Sequence, residues 1–321
     1  MHSARFIHRS AHCVYRSRCA PTTIVGMNPQ LMQLFDEQGG VATSGQVLAH
    51  LTRHAFQSAV NSGALERIWY GIYCRGEPTE RLLLHGLDLA CGRKVPLCLA
   101  SAAAVHGFDT EGSADLHVLN PPGCQLRSAD GLVVHRRDGA PLTSVDGRYV
   151  TAPAWTAVEV ARSLRRPRAL AALDAALRSG TCTRADLWRA ALEQAGRRGI
   201  VNVRNLIALA DGRAESPMES EARLVMLDGG LPVPELQYEV IDGNGDVRRL
   251  DFAWPQDKVA VEYDSLDWHG NPDALNNDRR RTAALRDVGW TVISIVFDDV
   301  RHRDGEMVAR INRQLGHARA A

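Results

Sequence analysis

The sequence predicts a multidomain α+β protein, and three regions of the chain support this prediction. Short capped helices followed by a small hairpin occupy residues 28 to 76. A stretch rich in Ala, Leu and Arg at 150–211 has the pattern of successive helices. Residues 212–321 have the periodicities of a helix, three strands, a second helix and a fourth strand.

The composition indicates a globular protein with a hydrophobic core and without a membrane-spanning helix. The chain has 321 residues, of which 45% are apolar and 23% are charged, and its formal net charge is +1. This length is enough for two or three domains, and no apolar run approaches the ~18 residues of a membrane-spanning helix. The seven cysteines are irregularly spaced and none follows Cys182. Such spacing argues against a disulfide framework or a zinc site, so we expect a reducing, cytoplasmic location.

Residues 1–26 differ from the rest of the chain because they contain four arginines and three histidines but no acidic residue. Three interpretations are open: a basic arm for DNA, a transit-like peptide, or a start site assigned too early, with Met27 as the initiator. We favour the last, because a capped helix pattern begins at once with Asn28 and Pro29.

Three short helices and a hairpin are predicted between residues 27 and 76. Asn28 caps the first helix, Thr43 or Ser44 the second, and Thr52 the third, "TRHAFQSAVNSG". The following "ALERIWYGIYC" has the pattern of two short strands. Three helices followed by a hairpin are typical of a winged helix-turn-helix, in which the third helix enters the major groove of double-stranded DNA.

The third predicted helix carries a polar stripe with the i, i+3, i+4, i+7 spacing of one helical face. Its Asn and Gln side chains offer paired donors and acceptors to adenine edges, while arginines nearby can hold phosphates. A solvent-facing helix has such a stripe without any DNA, and some winged helices bind only protein. The predicted DNA-binding residues are Arg53, His54, Gln57, Ser58, Asn61, Arg67, Tyr70 and Arg75.

Several motifs between residues 28 and 210 resemble the AbiEi-type antitoxins of type IV toxin–antitoxin systems. "GALERIWYGIYCRG" resembles the end of the family's winged domain, and "CLASAAAVHGF" its Ser-Ala-x-x-x-His-Gly helix. "HVLNPPG" and "GLVVHRRD" resemble its paired strands, and "YVTAPAWTAVEVARSLRRPRALAALDAALRSG" its helical stretch, with Glu159 where Asp is usual. The resemblance implies a bacterial, cytoplasmic repressor that binds its own promoter. It also implies that the protein counteracts a nucleotidyltransferase toxin, without the need for a stable complex.

The stretch "EGSADLHV" superficially resembles a motif of the toxin itself, but its spacing is wrong for a nucleotidyltransferase site. We expect a turn there, leading into the strand 116–119. The middle region is therefore predicted as an α/β segment over 77–211 that ends in a helical connector. Within this connector we expect Trp188, Leu192, Leu206 and Leu209 to be core residues, and 212–217 to be a linker.

The last predicted domain, 212–321, has the core order of the PD-(D/E)xK nuclease fold. A helix with Glu219 and Glu221 precedes the strands "ELQYEVID", "VRRLDFAWP" and "VAVEY", and a basic helix leads to "TVISIVF". Asp251 on the second strand and Glu262 on the third are therefore candidate ligands for Mg²⁺, which prefers oxygen ligands and activates water.

The window "VAVEYDSLDWHG" is similar to very-short-patch-repair endonucleases and to DUF559 domains. The resemblance places Asp251 at the metal acid, Asp264 at the following-strand aspartate and His269 at the loop histidine. The predicted catalytic residues are Asp251, Glu262, Asp264 and His269.

Three departures weaken the enzymatic interpretation. Asp264 stands where most of the superfamily has a lysine, Ser265 replaces a glycine, and the domain has no cysteine for the repair enzymes' zinc. The acids can instead pair with Arg279–Arg281. We therefore favour a DNA-binding antitoxin with a degenerate nuclease domain and no required cofactor. The alternative is a Mg²⁺-dependent DNA endonuclease targeted by a winged helix.

Overall fold

The computed structural model describes residues 28–108, 113–137, 139–265 and 272–320. It is a mixture of helices and strands, which confirms the α+β prediction. The described residues form two compact units. Of the described residues, the first unit contains those up to Leu97, 113–137 and 144–150, and the second contains 98–108, 139–143 and those from Thr151 onward.

The first unit begins with three short helices and a three-stranded sheet. The antiparallel strand order is β1-β3-β2, and each helix has the side-chain cap predicted for it, from Asn28, Thr43 and Thr52. Leu31 and Phe35 are fully buried in the core beneath these elements. The elements in chain order are α1 (Pro29–Glu37), β1 (Val41–Thr43), α2 (Ser44–His50), α3 (Arg53–Asn61), β2 (Leu65–Trp69) and β3 (Ile72–Arg75).

A fourth helix, α4 (Glu80–Cys91), packs against this sheet. Gly86 allows the close approach, because a Cβ atom there would lie 2.7 Å from Ile68 Cδ1 and 3.0 Å from Trp69 Cδ1. Four strands follow in the chain: β4 (Leu116–Leu119), β5 (Leu132–His135), β6 (Leu142–Val145) and β7 (Arg148–Thr151). The first two pair in parallel and the last two form a separate two-stranded sheet, so the predicted pairing of β4 and β5 is confirmed.

The second unit contains a helical layer whose core is built from alanine and leucine. Its helices are α5 (Leu99–Val105), α6 (Pro153–Ser163), α7 (Arg166–Arg178), α8 (Arg184–Glu193) and α9 (Ile200–Leu209). Leu206 is buried as expected, and Leu209 packs against the same core. The expectation for α8 is wrong by one helical position, because Leu187 is fully buried whereas 38% of Trp188 and 64% of Leu192 are exposed.

The second unit continues without a break into a four-stranded sheet. Its order is β11-β10-β9-β8, with β10 and β11 parallel and the other pairs antiparallel. Phe252 and Val261 belong to an apolar cluster with Ile311 of the last helix, while Ala260 packs with Leu285 in a second cluster. The elements are α10 (Pro217–Asp228), β8 (Glu235–Ile241), β9 (Val247–Trp254), β10 (Val259–Tyr263), α11 (Pro272–Asp287), β11 (Thr291–Ile295), α12 (Phe297–Arg301) and α13 (Asp304–Ala320).

A buried ion pair joins the helical layer to α10. Asp174 of α7, whose side chain is 0% exposed, accepts a hydrogen bond of 2.7 Å from Arg223 of α10. The other carboxylate oxygen of Asp174 accepts one of 2.7 Å from the backbone N–H of Asp211. Leu224 of α10 is also part of the helical core. The stretch predicted as a linker, 212–217, therefore lies inside one packed unit. None of the helices among the described residues is long and apolar enough to cross a membrane.

Candidate functional site

Helix α3 has one apolar face and one polar face. Phe56, Ala59 and Val60 pack against the core of the first unit, so the opposite side of the helix is fixed toward solvent. The predicted contact residues on that side are all exposed: Arg53, His54, Gln57, Ser58 and Asn61. A short helix that is anchored on one face and polar on the other can be inserted into a groove without disturbing its own core.

Two of the exposed side chains on α3 interact with each other. Gln57 Nε2 donates a hydrogen bond of 2.9 Å to Asn61 Oδ1, one helical turn further on. Amide pairs at this spacing stabilise a helix by only a few tenths of a kcal/mol. Their greater effect is geometric, because the contact restricts the direction in which each amide points.

The tip of the β2–β3 hairpin presents an aromatic ring and a cation. Tyr70 is 93% exposed, and Gly71 has the positive φ of 70° that this tight turn requires. The guanidinium carbon of Arg67 lies 5.8 Å from the centroid of the Tyr70 ring. This places two predicted DNA-binding residues together, within range of a cation–π contact.

Arg75 has a different environment from the other predicted DNA-binding residues. Its guanidinium pairs with Asp36 of α1, donates to Met32 Sδ at 3.3 Å and lies 5.6 Å from the Phe35 ring centroid. The Arg75 side chain is only 24% exposed. Its visible role is to hold the hairpin against α1, and the paired carboxylate reduces the positive charge available to a phosphate.

The predicted catalytic acids lie on or just after two neighbouring strands: Asp251 is in the middle of β9, Glu262 is near the end of β10, and Asp264 follows β10. Asp251 accepts a hydrogen bond of 2.9 Å from the backbone N–H of Tyr263, and Glu262 accepts one of 2.6 Å from Arg281 of α11. The backbone N–H of Asp264 donates to Ile295 at 2.8 Å, and the Asp264 side chain is exposed. His269 lies outside the described residues. The structure therefore connects Asp251 and Glu262 to backbone and arginine partners.

A further acid, Glu219 of α10, belongs to this region although it was not assigned to the site. It is 8% exposed and accepts hydrogen bonds from the Glu215 N–H at 2.8 Å and from Gln237 Nε2 at 3.0 Å. Burial raises the pKa of Glu219, and the Asp251 carboxylate raises it further. Burial likewise raises the pKa of Asp251. The pattern of the sequence places Glu219 on a helix, but its proximity to β9 depends on the tertiary fold.

The carboxylates do not fit a Mg²⁺ site well. Mg²⁺ prefers several ionised oxygen ligands in octahedral geometry. Here burial favours the neutral form of Asp251, and a guanidinium already occupies Glu262. Over the described stretches, which omit 266–271, no group of three or more His, Cys, Asp or Glu side chains is arranged to hold a metal ion. The visible geometry is that of an ion-pair network.

A second and more buried network surrounds Glu221 of α10, whose side chain is 1% exposed. Arg165, Arg168 and Arg301 all contact its carboxylate, at 2.9, 3.4 and 2.7 Å respectively. Burial alone would raise the pKa of Glu221, but hydrogen bonds from Arg301 and Arg165 outweigh it and hold the pKa below its usual value. The Glu221 carboxylate of α10 therefore connects this helix to the start of α7, through Arg165 and Arg168, and to α12, through Arg301.

The chain is similar to known proteins over most of its length. Residues 95–209 match the family model of the AbiEi antitoxin C-terminal domain. Two Mycobacterium tuberculosis proteins, uncharacterized protein Rv2248 of strain H37Rv and uncharacterized protein MT2308 of strain CDC 1551, are each 53% identical to it over 271 residues. The aligned part is 84% of this chain and 100% of each relative.

Proposed function

We propose that this chain is a DNA-binding autorepressor as well as an antitoxin. The chain belongs to the same family as these two mycobacterial proteins and carries an AbiEi antitoxin C-terminal domain. The antitoxin role in a toxin–antitoxin system is supported by the matched domain. We further propose that the system is of type IV, that the DNA target is the protein's own promoter, and that the toxin is a nucleotidyltransferase. The proposed location is the cytoplasm.

The observation that carries the DNA-binding proposal is the exposed polar face of α3 beside an exposed hairpin tip. The order α1-β1-α2-α3-β2-β3 supports a winged helix-turn-helix, in which α3 is the proposed recognition helix. In this proposal Arg67 and Tyr70, which lie together at the hairpin, contact the DNA backbone beside the groove. Together the α3 face and the hairpin tip form the proposed interface for the promoter of the protein's own gene.

The C-terminal sheet is proposed to be a PD-(D/E)xK-like domain of the DUF559 and very-short-patch-repair type that no longer cleaves DNA. The succession α10-β8-β9-β10-α11-β11 supports the fold assignment. The ion pair between Glu262 and Arg281 supports the loss of activity, because a guanidinium stands where a metal would compete for the same oxygen. In this proposal the domain requires no cofactor.

Promoter binding is tested by gel-shift titration of the full-length protein on its own promoter and on a random duplex of equal length. The double variant Gln57→Ala, Asn61→Ala should lose the preference for the promoter while weak general binding remains. Gln33→Ala is a matched control, because Gln33 donates an equivalent exposed hydrogen bond, of 2.8 Å, to Glu37 on α1. Equal discrimination by the wild type and the double variant would exclude α3 as the recognition helix.

The antitoxin role is tested by co-expression with the proposed nucleotidyltransferase toxin, which is sought in the genes adjacent to that of this chain. We expect the full-length protein to restore growth that the toxin alone stops. Failure of the two proteins to co-purify would not count against the proposal, because neutralisation of this type does not require a stable complex. Continued growth arrest in the presence of soluble, folded protein would contradict it.

A further inference from the structure

The hydrogen bond between Gln57 and Asn61 limits what this part of α3 can read. A glutamine amide has one oxygen acceptor and two N–H donors. In Gln57 one of these donors is engaged by Asn61 Oδ1 at 2.9 Å. What remains on the Gln57 amide is its oxygen and one N–H. A contact with a base through both groups uses the N–H that is cis to the oxygen, so the trans N–H has to be the one that donates to Asn61. The Gln57 side chain is exposed.

An oxygen beside an N–H is complementary to one base edge in the major groove. Adenine presents the N6 donor next to the N7 acceptor, which matches an amide in both positions. Guanine presents two acceptors, O6 and N7, so the amide oxygen would face a second oxygen. A read by Gln57 therefore favours adenine over guanine at one position of the duplex.

Asn61 contributes to this selectivity without needing to touch the base. Its Oδ1 accepts from Gln57 Nε2, so turning over the Gln57 amide alone would bring two oxygens face to face. Asn61 thus biases the Gln57 amide toward one orientation before DNA arrives. A side chain that is ordered in advance loses less conformational entropy on binding.

We propose that Gln57 reads a single adenine and that Asn61 is its positioning residue. The inference rests on the proposed DNA-binding function. It assigns different tasks to two residues of the same stripe, and the two tasks respond differently to substitution. Loss of the reader removes the preference itself, whereas loss of the positioning residue only weakens it.

The test is a selection of full-length protein variants on duplexes with a randomised core, followed by affinity measurements on the enriched sequence and its single-base changes. Gln57→Ala should lose the adenine preference at one position, a loss of roughly 5- to 150-fold, equivalent to about 1–3 kcal/mol. Gln57→Glu should shift the preference at that position to cytosine, because a carboxylate accepts from the N4 amino group.

The Asn61 variants separate a positioning role from a merely structural one. Asn61→Ala should weaken discrimination at the same position and have no further effect there in a Gln57→Ala background. Asn61→Asp should retain the discrimination, because it keeps the acceptor, while its charge lowers the affinity for all sequences alike. Gln33→Ala, the matched surface control on α1, should leave both quantities unchanged.

Three outcomes bear on the inference in different ways. A motif with an adenine position that follows this pattern of variants supports it. A motif that is enriched equally by the wild type and by Gln57→Ala overturns it, while leaving the DNA-binding function in place. The absence of any enriched motif with folded wild-type protein overturns the DNA-binding function and the inference together.

Discussion

Replacement of Glu221 by Gln should destabilise the second unit strongly. The Glu221 side chain is 1% exposed and is contacted by three guanidinium groups, from Arg165, Arg168 and Arg301. The substitution keeps the volume but removes the charge that offsets them, and one carboxylate acceptor becomes an NH₂ donor that faces other donors. Removing one partner of a buried ion pair typically costs 3–5 kcal/mol. We expect about 3 kcal/mol, since Arg165 and Arg301 keep partial access to water, at 42% and 25% exposure.

The measurement is the free energy of unfolding from urea titrations followed by far-UV circular dichroism and tryptophan fluorescence. Asp228→Asn is the matched control, because Asp228 lies on the same helix and pairs with Arg166, but with 51% and 46% exposure of the two side chains. Such a surface pair should contribute less than about 1 kcal/mol. A cost for Glu221→Gln no larger than that of Asp228→Asn would refute the reasoning from burial.

The effect of Glu221 should also depend on pH in a defined direction. Its pKa in the folded state lies below the usual value of 4.5. For a carboxyl group of this kind, the stabilisation is fully present above the unfolded pKa and is lost as the pH falls through the folded pKa. The difference in stability between wild type and Glu221→Gln should therefore be constant above about pH 5.5 and shrink below pH 4. A difference that grows on acidification would contradict the assigned ionisation.

Three further substitutions distinguish the roles of charged residues elsewhere in the chain. Arg67→Ala should weaken binding to every duplex alike and lower the slope of log affinity against log salt by about 1, as measured in a salt series; an unchanged slope would argue against a phosphate contact. Arg75→Ala should instead lower the melting temperature of the protein, since the residue packs on α1 and pairs with Asp36, and it should change the salt slope less than Arg67→Ala does. Neither the wild type nor Asp251→Ala should cleave DNA when Mg²⁺ or Mn²⁺ is added, because we expect the domain to be inactive. Saturable Mn²⁺ binding and cleavage by the wild type, both lost in Asp251→Ala, would establish the endonuclease alternative.

The parts of the structure that the sequence predicts are those with local causes. The caps at Asn28, Thr43 and Thr52 are formed by side chains that hydrogen-bond two or three residues away, so the starts of α1 to α3 follow from the sequence. Strand β1 was not predicted, because its three residues are held by β3, where Val41 pairs with Cys74. Short strands have little periodicity of their own.

The same limit applies to the charged residues of the candidate sites. Arg75 and its partner Asp36 are 39 residues apart in the chain, and Arg301 is 80 residues from Glu221. No spacing rule connects positions at such separations, so Arg75 had the pattern of a phosphate ligand. The exposure of Leu192 could not be predicted either, because a leucine on a helix is usually buried and the sequence does not show which neighbour covers it.

The packing of α7 against α10 affects how truncated forms of the protein can be interpreted. A truncated allele that stops after residue 211 would encode the N-terminal helices and sheet together with the matched antitoxin segment, and is the obvious choice for mapping activity to a region. That product would lack Arg223, the partner of the buried Asp174 carboxylate, and Leu224, part of the helical core. An inactive truncation would then report on proteolysis of a misfolded product and not on the location of the neutralising surface. Point substitutions at exposed positions within the intact chain are the informative alleles for that question.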